Sequence, residues 1–535
     1  MIVTDDDTPA SPAKSNAAMN PQSPSLEAAP PPAYGAAGRV IPQEQYQPYD
    51  AAGGSHPTRP LLPPNLTDLE ASNAPRRRQS AGRRFCGAFA IALLVYVLAV
   101  ILFGTFSVNI HGDRTRKQWH DNYPIPKDLA ATSCTKVSEM KKTGYADRTN
   151  NYSFGTVTTS LSLPLSSETL FFLSRGALSN GVIRIAPSAR LEDTEVARVD
   201  VNVRYEHFEN TTDPSVLDSA SVCLVQKKGI KKNVGVGMFS PQRWSAPWPY
   251  PSPRFTFDVT LVLPESRGPS LLHLNTLETD LPHFDHMFVH SLDEFVMFDK
   301  VVLKGGNGKI EVESLTTDDA TIQTSNGEIN IKSLKSHSTS IYTTNELIKG
   351  HFTTANSLQI KGINAKIIAE VDVVSQGEGG GKVTVETSNN AIEANIRIHD
   401  PSSLSYSRPS PSAASYTILA TTQNAPINLV VAELPLDSML NLASSSINGP
   451  VIVSLPATYE GLYTVSTTNA MSKVQVAPME DPAGLGRRRM LGSNSPMDQG
   501  KKAPKISDQI YWDKKNREKG KVVVKSTNAD VQLHL

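Results

Sequence analysis

Net charge, cysteine and aromatic side chains are all scarce in this chain of 535 residues, and each scarcity narrows the function. Lysine plus arginine balances aspartate plus glutamate at 52 each, so no global field favours nucleic acid as a partner. Only three cysteines occur, and none has zinc-site spacing. A phosphate loop, a glycine-rich dinucleotide turn and a nucleophile elbow are also missing. The expectation is therefore a protein without enzymatic activity, cofactor or metal.

What is present is unevenly distributed. Residues 1–84 are proline-rich (PSLEAAPPPAYGAAG, RPLLPPNLTDLEASNAPRRR) and show neither helical nor strand period, which predicts a disordered tail. Residues 85–108, FCGAFAIALLVYVLAVILFGTFSV, run 24 residues without a charge. That exceeds the roughly 20 needed to cross a bilayer core, so a single membrane-spanning helix is expected. Its position after a long polar stretch argues against a signal peptide.

Arg76, Arg77, Arg78, Arg83 and Arg84 crowd its N-terminal flank, which places the N-terminus in the cytosol and makes a type II protein, at the plasma membrane in preference to an internal secretory membrane. Asn151 (NYS) and Asn210 (NTT) are glycosylation acceptors on the far side; Asn65 (NLT) would be cytosolic and unused. Cys134 and Cys223 form a candidate disulfide pair there, while Cys86 is either a palmitoylation site or a small apolar residue of the span.

Within the tail, Pro31, Pro32, Ala33 and Tyr34 spell PPAY, a WW-domain ligand biased toward polyproline II before it docks. RRRQS puts Arg77 and Arg78 upstream of Ser80 at a spacing that basophilic kinases accept. Phosphate on Ser80 would offset the charge holding this segment to anionic lipid; the plainer reading is a topogenic cluster.

Beyond the span, residues 109–150 read as a polar connector and residues 151–300 as a β-rich domain. VTTSLSLPL, GVIRIAP, VARVDVNVRYEHF, SVCLVQ and FTFDVTLVLP alternate at period two, with no helical segment between them. From residue 301 an internal repeat begins. Asn307, Asn326, Asn345 and Asn364 stand 19 residues apart, with an aliphatic four before each (Leu303, Ile322, Ile341, Ile360) and an isoleucine three after (Ile310, Ile329, Ile348, Ile367).

Asn-Gly at Asn307 and Asn326 is a hairpin signal, yet the glycine gives way to Glu346 and Ala365 while the asparagine stays. The pattern therefore favours an all-β solenoid of about 19-residue coils over an antiparallel meander. Stacked isoleucines would fill a narrow core, and asparagines tolerant of left-handed corners would bond along the axis. Thr/Ser-x-Asn recurs at Asn389, Asn424, Asn448, Asn469 and Asn528, the last in a stacked terminal coil.

The solenoid would reach residue 535, interrupted by a basic insertion at 480–521 with 11 lysines and arginines against 6 acidic residues and no strand pattern. That insertion reads as a solvated loop, an arm for anionic glycans or lipid, or a protease site after Arg489.

Candidate chemistry is thin. Asp318 and Asp319 in TTDDAT and His351 in KGHF are fragments of what a glycan-cleaving solenoid would need. His283, Asp285, His286 and His290 are metal-ligand types, and His286 and His290 would share a helical face.

TSNGEINIKSL and its relatives, following LHLNTLETDLPHF, resemble the adhesin-like β-helix domains of uncharacterised fungal membrane proteins, which are similar to a family of bacterial adhesin-like proteins. The resemblance covers roughly residues 152–535 and implies a solenoid beyond a single membrane anchor; it transfers no catalytic residue. The expected function is adhesion or ligand binding outside the cytosol, to a cell-wall glycan or a surface protein, with a WW-domain protein on the tail. A glycan-active enzyme and a trafficking or structural receptor are the alternatives.

Overall fold

The computed structural model describes residues 125–149, 152–188, 195–208, 217–229, 232–241, 255–265, 270–289, 291–374, 380–399, 414–492 and 502–535. The expected tail, the span at 85–108, the PPAY motif, Ser80, Asn151, Asn210 and His290 lie outside them. Among the described residues no helix is long and apolar enough to cross a membrane.

The regular structure of the described residues is strand with short helical turns. The repeats pair in parallel and in register, as an antiparallel meander would not. Leu303 lies beside Ile322, Ile322 beside Ile341, and Ile341 beside Ile360. The isoleucines after the corner match in the same way, from Ile310 through Ile329 and Ile348 to Ile367. All eight are buried in one core. The physical reason is period-two alternation on both sides of each corner: it sends every second side chain inward, and equal corner spacing brings like residues into register.

Two parallel ladders of twelve rungs result. The first runs, in spatial order, through Asn233–Phe239, Thr169–Arg175, Leu272–Leu281, Val296–Gly305, Leu315–Gln323, the second halves of Ile329–Thr343 and Ile348–Gly362, Lys382–Glu386, Ser415–Thr421, Met439–Ser445, Gly520–Ser526 and Gly461–Thr467. The second holds the partner strand of each rung, from Phe255–Pro264 and Ser179–Ser188 to Val531–His534 and Ser472–Gln475. At about 4.8 Å per rung the stack is roughly 50 Å long.

Antiparallel strands close both ends. Ser221–Lys227 and Leu129–Lys136 follow the first ladder, and Val196–Phe208, Tyr152–Pro164 and Lys141–Thr149 follow the second. Cys134 sits opposite Cys223 in one of these pairs and is disulfide-bonded to it, with Cα atoms 4.0 Å apart. At the other end Lys505–Tyr511 and Lys502–Ala503 cover the last rung.

Four expectations change. The connector at 109–150 contains the strands Leu129–Lys136 and Lys141–Thr149. No boundary falls at residue 300, because Val296–Gly305 crosses it and the ladders already include residues 169–188 and 272–288. The insertion at 480–521 is not strandless, since Lys505–Tyr511 pairs with Gly461–Ser466. The coil at 520–535 is not terminal in the stack but lies between Met439–Ser454 and Gly461–Gln475.

Candidate binding surface

The repeated asparagines form one continuous hydrogen-bonded ridge along the corner between the ladders. Asn326 Nδ2 donates to Asn307 Oδ1 at 2.8 Å, Asn345 to Asn326 at 2.6 Å, Asn364 to Asn345 at 2.8 Å and Asn389 to Asn364 at 2.7 Å. Asn424 then donates to Asn389, Asn448 to Asn424, Asn528 to Asn448 and Asn469 to Asn528, all at 2.6–2.8 Å. The backbone N–H of each also donates to the preceding rung, as Asn345 does to Ser325 O at 3.0 Å.

Every ridge asparagine is exposed, and each interior amide keeps one N–H and one oxygen lone pair for solvent or ligand. None is left-handed, correcting the expected corner conformation: among the described residues only Ser291 and Asp437 are non-glycine residues with positive φ. Glycine follows Asn307 and Asn326 because of close approach. A Cβ at Gly308 would strike Phe284 O, and one at Gly327 would strike Gly308 O.

Beneath the ridge the Thr/Ser of Thr/Ser-x-Asn is buried and structural. Ser446 Oγ donates to Ala425 O at 3.1 Å and accepts from Gly449 N at 2.9 Å, and Ser526 repeats this with Gly449 O and Ala529 N.

The ridge starts at His283, whose Nδ1 lies 3.1 Å from Asn307 Nδ2; an amide nitrogen only donates, so the imidazole accepts. Here an open cleft of about 480 Å³ is lined by Asn180, Arg184, Thr256, His283, Asp285 and Lys309, among others. Arg184 pairs with Asp258, and the Lys309 ammonium donates to Glu311 at 2.8 Å, a bond that raises the lysine above its ordinary pKa. Near the far end a second cleft, about 400 Å³, is lined by hydroxyls including Thr422, Ser445, Ser446, Ser466, Thr468 and Thr527.

On the outer face of the first ladder the register builds a polar grid. Asp319, Ser338 and Ser357 form one row, Thr321, Ser340 and Gln359 the next, and Gln323, Tyr342 and Lys361 the third. Neighbours within a row repeat at about 4.8 Å.

The candidate catalytic groups do not meet. Asp319 belongs to the first ladder, beside Lys300 and Ser338, and its neighbour Asp318 lies exposed on the same strand; His351 belongs to the second ladder, beside Glu370. His351 instead joins a cluster that has no sequence period. Its Nε2 lies 2.5 Å from Asp372 Oδ2, His399 Nε2 lies 3.0 Å from Asp372 Oδ1, and Arg397 donates to the same carboxylate at 3.3 Å. Burial alone would raise Asp372, but these three donors hold it below the usual carboxylate value.

The helical alternative for His286 and His290 fails at His286, because Phe284–Phe288 is a strand. His286 points into the core, 2.8 Å from Thr279 Oγ1, and burial pushes its pKa down to about 4. Among the described residues no group of His, Cys, Asp or Glu is arranged to hold a metal ion.

Residues 337–479 match a family described only as a domain of unknown function, DUF7330. The match begins inside Ile329–Thr343 and stops before the rung at 520–535. No curated protein matches the chain. Among solved structures, a protein from Clostridium sporogenes titled a "putative cell adhesion protein" is similar over 71% of this chain and 99% of its own, at 9% identity and a TM-score of 0.15.

Proposed function

We propose that this chain is a non-enzymatic, single-pass membrane protein that displays a β-solenoid outside the cytosol for adhesion or ligand binding. The carrying observation is the in-register stack, which turns a 19-residue repeat into a rigid ridge of asparagine amides beside a polar grid around Tyr342. Hydroxyls, amides and one aromatic at a fixed spacing suit an extended polar polymer better than a small substrate. A cell-wall polysaccharide is the first ligand to test, a surface protein the second. The separation of Asp318 and Asp319 from His351 supports binding over cleavage.

In this reading residues 85–108 span the membrane with the N-terminus cytosolic, Asn151 and Asn210 carry glycans, Ser80 is a phosphosite, and Pro31, Pro32 and Tyr34 recruit a WW-domain protein. The test is co-sedimentation of the detergent-solubilised chain with insoluble wall polysaccharides. Tyr342→Ala with Gln359→Ala should lower retention about tenfold, near the energy of one aromatic contact plus one hydrogen bond. Equal retention of the variant, or no retention of the parent on any wall polymer, removes the glycan reading.

A further inference from the structure

The end of the stack capped by residues 476–492 and 502–519 carries a second surface with different chemistry. Three of the eight exposed large apolar residues among those described, Met479, Leu485 and Met490, fall here, and Leu485 is the most exposed at 71%. Leu485 is not held out by chance looseness. Gly484 and Gly486 on either side have φ of +69° and +65°, with open space around both, a backbone that only glycine adopts without strain.

The loop is tied from inside by Asp481, whose carboxylate accepts from Ala483 N at 3.0 Å, Arg487 N at 3.1 Å, Arg487 Nε at 2.9 Å and Arg487 Nη2 at 2.8 Å. The three-arginine run is thereby divided. Arg487 clamps the loop; Arg489 is buried at 8% exposure, with its guanidinium 5.8 Å from the Trp512 ring centre and Nη2 donating to Tyr459 O at 3.3 Å. Only Arg488 faces outward, and the burial of Arg489 argues against the protease alternative at that residue.

The same contacts bring a basic turn beside the loop. Trp512 Nε1 donates to Ala457 O at 2.7 Å, and Glu460 accepts from Trp512 N, Asp513 N and Asn516 Nδ2 at 2.6–2.7 Å. This fixes the turn that exposes Lys514 and Lys515. Arg488, Lys514 and Lys515 have no carboxylate partner among the described residues, whereas Arg517 pairs with Glu518 and Lys519 with Asp437. A preorganised apolar tip with unpaired cations on the neighbouring turn fits a soft anionic surface better than a rigid protein pocket.

We propose that this end of the stack docks on an anionic lipid bilayer, with Leu485, Met479 and Met490 entering the headgroup boundary and Arg488, Lys514 and Lys515 contacting lipid anions. The surface is separate from the grid around Tyr342, so docking can fail while glycan binding stands, and the reverse.

The experiment uses the full chain held in phosphatidylcholine nanodiscs, which occupy its own apolar segment, mixed with vesicles of phosphatidylcholine alone or with phosphatidylserine and then floated. Phosphatidylserine vesicles should carry the protein up and phosphatidylcholine vesicles should not. Leu485→Ser should lower the floated fraction about tenfold, as expected for withdrawing one leucine from an apolar phase. Arg488→Glu combined with Lys514→Glu and Lys515→Glu should abolish flotation. Leu485 supports no core contact, so an unchanged melting temperature confirms that the variant is folded. Equal flotation of parent and Leu485→Ser, flotation independent of phosphatidylserine, or no flotation of the parent overturns the proposal.

Discussion

The middle rungs and the end rungs are built from the same strands but joined by different rules. Between Val296 and Val373 each rung follows its neighbour in both sequence and space. At each end the two orders part. Thr169–Ser188 precedes Asn233–Pro264 in the chain yet sits inside it in the stack. At the other end Gly520–His534 follows Gly461–Gln475 but is wedged beneath it. A repeat can therefore specify how a rung is made without specifying where it goes, because every slot accepts inward aliphatics around a corner.

The largest expected effect comes from ending the chain at residue 519. Val522, Val524, Val531, Leu533 and Leu535 are all buried, so their burial amounts to on the order of 10 kcal/mol as an upper bound. Hydrogen exchange should lose protection across 461–475 and 502–511 and keep it across 302–373. Removing one whole period in the middle, residues 327–345, is the control and should leave both ends protected. If Gly461–Thr467 instead drops one slot and pairs directly with Met439–Ser445, protection at 461–475 will persist and the wedge will have been dispensable.

A smaller effect separates the N-terminal rungs from the middle by pH. His286 replaces an aliphatic in the core rung beside Ile183 and Ile310, and burial lowers its pKa from 6.5 to about 4. Above pH 6.5 it is neutral in both folded and unfolded chains, and its contribution is fully present. As pH falls toward 4 the unfolded chain binds a proton that the folded chain refuses, so stability declines by about 3 kcal/mol over that window. Urea denaturation at pH 7 and pH 4.5 should show most of this loss, and His286→Leu should flatten it. An equally steep profile in the variant would assign the acid sensitivity elsewhere.

Legibility follows the same division. The ridge could be read from Asn307 to Asn364 because a chain of amide bonds demands one residue type at one interval. It stayed readable through Asn389, Asn424 and Asn448, where loops of unequal length leave the corner intact. Residues 169–288 read as a separate β unit because their corners carry Gly176 and His283 instead of asparagine, although their strands join the same ladders. The cluster of His351, Asp372 and His399 has no period, since its members stand at non-equivalent positions of adjacent strands: His351 lies beside Glu370, two residues before Asp372, and Asp372 beside Arg397, two residues before His399. Arg489 looked like part of an exposed basic run, because its burial depends on Trp512, 23 residues away.

The smallest effect tests the ridge itself, where a middle position should matter more than a terminal one. Asn345 donates to Asn326 and accepts from Asn364, so Asn345→Ala deletes two bonds. Asn469 donates to Asn528 and among the described residues no later rung donates to it, so Asn469→Ala deletes one. Because the ridge is exposed, water replaces part of each loss, giving about 1–2 kcal/mol for Asn345→Ala and about half that for Asn469→Ala. Asn345→Asp should be worse than alanine, since a carboxylate cannot donate and would face the oxygen of Asn326. Melting temperatures in the order parent, Asn469→Ala, Asn345→Ala, Asn345→Asp would show that stability follows the number of ridge bonds. Equal shifts at 345 and 469 would mean that the ridge bonds contribute little and that the isoleucine core alone sets the register.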